Sequence, residues 1–227
     1  MKPFALLSMF LLLGPAAAQE KPTVPAMAPI AQYRIADPQA EIALARSAAP
    51  PSISADAEVL VLGEGGYEVA VKGKNGFVCF VERSWTAGFD DAEFWNPKLR
   101  APNCFNPAAS KTFLPIFLKK TNLVLAGKSK AQVLAATTSA LEKKELPALA
   151  PGAMCYMMAK QQYLSDDGGN WHPHVMVFVS GDAVKSWGAN LPGSPVIAAN
   201  DPEERVTVFM VLAGTWSDGT PGPSTMH

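Results

Sequence analysis

The sequence predicts a single α+β domain built on a mainly antiparallel sheet. Strand patterns fall into two blocks, a three-stranded meander near the N-terminus and a hairpin with a further strand near the C-terminus, and two central helical patterns lie between them. Such segregated blocks are typical of α+β folds. The 227 residues are 48% hydrophobic and carry a formal net charge of −1, which fits a globular chain and excludes a disordered or fibrous one.

The first 18 residues have the pattern of a secretory signal peptide. Lys2 precedes ten apolar residues at 4–13, and small residues follow up to Ala18. Ten residues extend about 15 Å as a helix, which is too short for a bilayer core of about 30 Å. We therefore expect cleavage after Ala18, a periplasmic or secreted protein, and no membrane span in the mature chain. The alternative is a short anchor that is never cleaved.

The segment that follows the signal peptide, 19–36, contains three prolines among small residues and predicts an extended, mostly unpacked arm. The domain itself is expected at 37–216. Asp37 and Pro38 indicate the start of a short helix, as N-cap and first helical residue, and Pro50 ends it. The tail at 217–227 is rich in Ser, Gly, Pro and Thr and is expected to be flexible.

The predicted meander consists of strands at 58–62, 67–72 and 77–83, separated by glycine-rich turns. Asn75-Gly76 is the dipeptide that most strongly favours a tight hairpin. The next segment, 84–107, holds several aromatic residues and prolines. We interpret it as a long loop that is packed by its own side chains.

Two helices and the C-terminal strands complete the predicted fold. Helical spacing covers 108–125, with a break expected at Pro115. Ser129 and Gln132 predict a capping box at the start of the second helix. The C-terminal strands, of which the first two form a hairpin with a long polar loop, are predicted at 153–160, 171–179, 196–198 and 205–212.

Three cysteines permit at most one internal disulfide, and export would place them in an oxidising compartment. Cys79 and Cys104 are the nearest pair in sequence, and closing that loop would stabilise the fold by about 3.5 kcal/mol. A bridge between Cys104 and Cys155, or no bridge at all, are the alternatives. Cys155 lies in an apolar strand pattern, so we expect it to be a buried and unreactive thiol.

The segment Trp171-His172-Pro173-His174 is the strongest candidate for a functional site. Residues two apart in a strand point to the same face, so the two imidazoles would lie side by side. Histidine is the commonest general base, and two neighbouring imidazoles also form half of a zinc site. The alternative is a pair of packed, hydrogen-bonded histidines at a strand end. A third metal ligand would have to be Asp166, Asp167, Glu82 or Cys155.

Neighbouring residues supply the other candidate ligand-binding side chains. If the two strands of the C-terminal hairpin pair in simple register, Tyr156, Lys160 and Gln161 lie near Trp171 and the two imidazoles. The alternative is a solvated hairpin end. Glu82 ends the third strand beside the aromatic loop, and it is either an acid with a raised pKa or a member of an exposed ion pair.

Several classes of function are excluded by their missing motifs. No run of Lys or Arg is longer than two, which excludes a basic stripe for nucleic acid. The sequence motifs of serine hydrolases, zinc proteases and calcium-binding loops are absent. The glycines at 63–66 lie between two strands rather than before a helix, so they indicate a turn and not a phosphate loop. We expect no cofactor.

Three segments indicate a family. They read Gly-Phe-Val-Cys-Phe-Val-Glu-Arg at 76–83, Ala-Pro-Asn-Cys-Phe at 101–105 and Trp-His-Pro-His at 171–174. Together with the signal peptide, they resemble a family of uncharacterised exported bacterial proteins, and the resemblance covers most of the mature chain. It implies export and a bacterial source, and it implies no catalytic activity.

Two functions remain as hypotheses. The first is a non-catalytic binding module of the bacterial envelope or the extracellular space, whose partner is a small molecule, a glycan or an envelope protein. The second is a hydrolase that uses His172 and His174, with or without a metal ion.

Overall fold

The computed structural model describes residues 26–223, which form the α+β domain that the sequence predicts. The strands of this part of the chain are β1 (Glu58–Leu62), β2 (Tyr67–Val71), β3 (Val78–Glu82), β4 (Ala101–Phe105), β5 (Met154–Met157), β6 (His174–Ser180), β7 (Val196–Asp201) and β8 (Val206–Leu212). They form one eight-stranded sheet in the order β2-β1-β3-β4-β5-β6-β8-β7. The signal peptide predicted at 1–18 lies outside the described residues.

Helices pack on both faces of this sheet. Those described are α1 (Pro38–Arg46), α2 (Pro51–Ser54), α3 (Pro107–Thr112), α4 (Leu114–Leu125) and α5 (Lys130–Glu142). α1 packs on β1, β3 and β4, whereas α3 packs on β4 and β5 and precedes the pair formed by α4 and α5. Within residues 26–223, no helix is long and apolar enough to cross a membrane.

The helix starts agree with their sequence signals. The Asp37 carboxylate accepts a hydrogen bond from the Gln39 backbone N–H and caps α1. Ser129 and Gln132 form the predicted capping box of α5. The helical break lies at Phe113 rather than at Pro115, because Pro115 occupies the first turn of α4, where a residue without an N–H loses no hydrogen bond.

The predicted antiparallel meander is corrected in one pairing. β1 and β2 form the expected hairpin, but β3 lies on the other side of β1 and runs parallel to it. The chain between β2 and β3 therefore crosses the start of β1. Gly73 permits this close crossing, because a Cβ atom there would lie 2.2 Å from the backbone nitrogen of Glu58.

The long loop predicted at 84–107 contains a strand, so that prediction is wrong at its C-terminal end. β4 is fully buried and pairs antiparallel with β3 along its whole length. Pro102 and Asn103 concealed it, because both residue types are depleted in strands. β5 pairs only with Cys104 and Phe105 of β4. Pro102 thus lies beyond the end of that ladder, where a residue without an N–H is tolerated.

The two faces of the sheet carry different cores. On the face towards α3 and α4, which we call the helical face, the core is rich in aromatic rings, among them Phe80, Phe105 and Phe113. On the opposite face, small residues of α1 pack on Val59 and Val81. Cys155 is the buried free thiol that the sequence predicts, and it lies in the core of the helical face.

The disulfide between Cys79 and Cys104 is confirmed. The two cysteines are directly opposite each other on the antiparallel strands β3 and β4, and both are fully buried in the core beside α1. The bridge therefore joins two neighbouring strands near the middle of the sheet.

A buried ion pair ties α1 to the residue that follows β3. The Arg83 guanidinium binds the Glu41 carboxylate at 2.7 Å, and both side chains are at most 2% exposed. Arg83 also donates to the backbone oxygens of Tyr33 and Val81, and Glu41 accepts from the backbone N–H of Leu62. Each charge is thus neutralised and hydrogen-bonded, which a buried ion pair needs to avoid a large desolvation cost.

The described parts of the arm and the tail differ from the sequence expectation. Residues 30–33 form a 3₁₀ helix, and Tyr33 is completely buried against Trp85, so the arm is packed rather than extended. Trp216, the last residue of the predicted domain, is buried, and its backbone N–H donates to the oxygen of Thr220, so the described start of the tail folds back in a tight turn. Buried aromatic side chains hold both segments, and the prolines and glycines of their sequences conceal this.

Candidate functional site

The candidate histidine His174 is the first residue of β6 and is only 2% exposed. Its ring Nδ1 lies 2.7 Å from the backbone oxygen of His172, and its ring packs edge-on against Trp171 with 4.7 Å between centroids. Burial lowers the pKa of His174 below its usual 6.5. The imidazole is therefore neutral near pH 7 and is packed inside the protein.

The second histidine does not share a strand with the first. β6 begins at His174, so His172 lies in the preceding loop, and Pro173 between them is buried beneath the C-terminal turn. Gly222 of this turn approaches Pro173 so closely that a Cβ atom would lie 2.9 Å from the ring. Among residues 26–223, no group of three His, Cys, Asp or Glu side chains is arranged to hold a metal ion. The open imidazole pair required by the hydrolase hypothesis is not formed.

The other candidate ligand-binding residues have different surroundings. Tyr156 pairs with Val175 and packs on Phe77, on the sheet face opposite to His174. Lys160 forms an ion pair with Asp218 at 2.7 Å. Gln161 is exposed. Tyr156 is thus separated from His174 by the sheet, and the Lys160 ammonium is engaged by Asp218.

The neighbouring Gln162 does contact this segment. Its amide donates to the Trp171 backbone oxygen at 2.7 Å, and the side chain is buried. Gln162 thus holds the loop before β6. The buried His174, with its ring nitrogen beside the backbone oxygen of His172, corresponds to the packed alternative for the two histidines.

A cavity of about 560 Å³ lies elsewhere, between the helices of the helical face and the turn that joins β7 to β8. The apolar part of its wall includes the buried side chains of Phe113, Ile116 and Val206. Leu141, Leu146 and Leu149, from the end of α5 and the segment after it, complete the apolar lining. Small-molecule sites in proteins are typically mostly apolar clefts of roughly 300–1,000 Å³.

Two exposed cations line the rim of this cavity. Lys144 follows the end of α5, and Arg205 ends the turn between β7 and β8. The Arg205 guanidinium lies 3.7 Å from the Glu142 carboxylate, and both side chains are more than half exposed. The rim therefore combines a positive charge at Lys144 with a loosely held ion pair at Arg205.

Both rim cations adopt a backbone conformation that favours glycine. Within residues 26–223, three residues other than glycine have a positive φ: Lys144 at 57°, Arg205 at 57° and Asn190 at 61°. Asparagine tolerates this region, whereas side chains such as Lys and Arg adopt it at a cost of about 1–2 kcal/mol. Two such costs are thus located at one cavity.

A buried ion pair forms part of the cavity wall. Glu204 lines the cavity and accepts a hydrogen bond from Lys120 Nζ at 2.7 Å. Lys120 is completely buried and also donates to the backbone oxygens of Thr86 and Ala87. Burial raises the pKa of Glu204, and the charge of Lys120 opposes this shift. The pair is neutral as a whole and fixes the turn between β7 and β8 against α4.

The sequence left Glu82 as either an acid with a raised pKa or a member of an exposed ion pair, and the structure favours the raised pKa. Burial raises the pKa of Glu82 to about 7, against the effect of hydrogen bonds from Thr86 and Asn103. Lys120 lowers this pKa and Glu204 raises it, both to a smaller extent. Glu82 is therefore close to half protonated at neutral pH, and no ion-pair partner contacts it among the described residues.

Comparison with known proteins gives no match for this chain. No family model, curated protein or solved structure matches this chain. The function is therefore inferred from the chemistry of the cavity, from its rim and from the disulfide.

The sequence interpretation missed the cavity, because its lining comes from four separate segments. One signal was nevertheless present at Lys120. It lies four residues after Ile116 and four before Val124, which places it on the buried stripe of α4. A lysine on an apolar stripe indicates a buried carboxylate partner, but only the tertiary structure shows that this partner is Glu204.

Proposed function

We propose that this protein is an exported, non-catalytic binding module for a small, largely apolar molecule. The cavity of about 560 Å³ is the observation that carries the proposal. At about 30 Å³ for each water-sized group, it has room for roughly 18 non-hydrogen atoms. Its floor of buried apolar side chains favours an apolar body, because each buried methylene contributes about 0.8 kcal/mol.

A small molecule is favoured over a glycan by the positions of the tryptophans. Sugar-binding platforms need exposed aromatic faces, but Trp85, Trp95 and Trp216 are all buried. Trp187 is 44% exposed, but its ring is stacked on Phe209 with 4.2 Å between centroids. Packing inside the protein therefore accounts for these four tryptophan side chains.

Export is supported by the disulfide and by the N-terminal pattern. A disulfide persists in an oxidising compartment, such as the bacterial periplasm or the extracellular space. Expression in a bacterial host, fractionation and N-terminal sequencing test this part. We expect the mature protein in the periplasmic or secreted fraction, beginning at Gln19. A cytoplasmic protein that retains its first residues would contradict it.

Binding is tested with N-phenyl-1-naphthylamine, a neutral dye whose fluorescence rises in apolar surroundings. Ala148 is exposed and lines the cavity, so Ala148→Trp should block entry with little effect on the fold. Ala131→Trp is the matched control, because Ala131 is an exposed residue of α5 that does not line the cavity. We expect saturable dye binding by the natural protein and the control, and none by Ala148→Trp. Absent binding, or equal binding by both variants, would refute the proposal.

A further inference from the structure

We propose that the cavity selects anionic amphiphiles, with the apolar tail inside and a carboxylate head held by Lys144 and Arg205. This inference rests on the proposed function and names the class of its ligand. It is carried by three features of the rim: its charge, its backbone conformation and the neutral pair behind it.

The charge of the lining favours an anion. Lys144 and Arg205 are the exposed charged residues of the lining, and both are cations. Among the described residues that line the cavity, Glu204 is the one acid, and Lys120 neutralises its charge at 2.7 Å. A carboxylate at the rim therefore meets two cations and no uncompensated anion of the lining. The guanidinium of Arg205 can also bind a carboxylate through two parallel hydrogen bonds.

The backbone at both cations is more costly than the fold requires. α5 ends in a Schellman motif, in which the N–H groups of Lys144 and Glu145 donate to the oxygens of Leu141 and Ala140. Lys144 occupies the left-handed position of this motif, which is usually glycine. Arg205 also has a left-handed backbone, as the last residue of the turn between β7 and β8. Glycine would adopt both backbone conformations at lower cost, which supports a role for the two side chains other than folding.

Glu142 forms a weak ion pair with Arg205 at the rim of the cavity. The two side chains are 3.7 Å apart and largely exposed, a distance and a setting that make the ion pair weak. An incoming carboxylate can replace Glu142 at little cost. Removing the Glu142 charge should therefore strengthen anion binding.

The test compares three probes with the same ten-carbon tail: decanoate, 1-decanol and decyltrimethylammonium. Each displaces N-phenyl-1-naphthylamine from the natural protein and from a variant that combines Lys144→Gly and Arg205→Gly. We expect the natural protein to prefer decanoate to 1-decanol by roughly tenfold, the combined strength of two exposed charge pairs, and to bind the cation most weakly. Glu142→Gln should increase the affinity for decanoate alone.

The double glycine variant separates binding from folding. Because glycine relieves the left-handed backbone, its melting temperature should equal or exceed that of the natural protein. Its affinity for decanoate should fall to that for 1-decanol, which itself is unchanged. A variant with Lys144→Arg and Arg205→Lys should retain the preference for the anion.

Two results would overturn the inference in different ways. If decanoate and 1-decanol bind the natural protein equally, the head-group assignment is wrong and the apolar cavity remains a binding site. If none of the three tails displaces the dye, or if the dye itself does not bind, the proposed function is wrong as well.

Discussion

The pKa of Glu82 makes the stability of the fold fall as the pH rises. The carboxyl has an ordinary pKa of 4.5 in the unfolded chain and a pKa of about 7 in the folded protein. Between these values the folded protein holds a proton that the unfolded chain has lost, so stability declines with rising pH and levels off above about pH 7. At 1.36 kcal/mol per pH unit, the full difference is roughly 3 kcal/mol. Partial exposure of Glu82 to solvent reduces it to about 2 kcal/mol.

Glu82→Gln removes this dependence, because the amide does not titrate. Glu204 and Asp201, whose pKa values are also raised by burial, contribute a slope of the same sign that remains in the variant. The informative quantity is therefore the difference between the natural protein and the variant. Between pH 5 and pH 8, we expect the natural protein to lose about 2 kcal/mol more of its unfolding free energy than the variant loses.

Urea denaturation at pH 5, 6, 7 and 8 measures this difference. The substitution also alters the hydrogen bonds to Thr86 and Asn103. That effect on the unfolding free energy is the same at every pH, so it cancels when the values of one protein at two pH are subtracted. Glu68→Gln is the matched control, because Glu68 is an exposed carboxylate on the edge strand β2. Parallel stability curves for the natural protein and Glu82→Gln would show that Glu82 has an ordinary pKa and would refute the reasoning.

Three further predictions concern the unfolding free energy measured by urea denaturation at pH 7. Reducing the disulfide, which closes a 25-residue separation, should lower it by about 3.5 kcal/mol, and an unchanged value would contradict the entropic argument. Arg83→Met strands the buried charge of Glu41 and should cost about 3–5 kcal/mol, whereas adding Glu41→Gln should restore a large part of the loss. Trp187→Ala uncovers Phe209 and should cost about 1–3 kcal/mol, and a neutral result would show that this stacked pair does not stabilise the sheet.

The fold class was predictable from the sequence because it depends on local patterns. Capping residues such as Ser129 and alternating apolar residues in the strands act within a few positions of one another. The pairing of β3 with β1 was not predictable, since Asn75-Gly76 indicates a turn but not the side of the sheet on which the chain returns. β4 was not predicted, because Pro102 is unusual in a strand. It is tolerated there because β5 pairs only with Cys104 and Phe105, which the sequence does not show.

The candidate site was predicted less well than the fold, for a related reason. The alternation rule for His172 and His174 holds only if both residues belong to the strand, and β6 begins at the second of them. The cavity depends on residues from α3, α5, β6 and the turn before β8, which no local pattern connects. For Glu82, the position beside an aromatic loop left a raised pKa and an exposed ion pair as alternatives, and its hydrogen-bond partners Thr86 and Asn103 were not predicted.

The order of the strands also governs when the sheet can be completed during synthesis. β8 lies between β6 and β7, and β8 is the only strand that pairs with β7 in the described sheet. A nascent chain that has emerged only as far as residue 205 therefore has no partner for β7 and leaves one side of β6 open. Until residues 206–212 emerge, β8 cannot pair with β6 and β7, and this side of the sheet stays incomplete. A ribosome that still holds residues 206–212 in its exit tunnel thus delays closure of the domain.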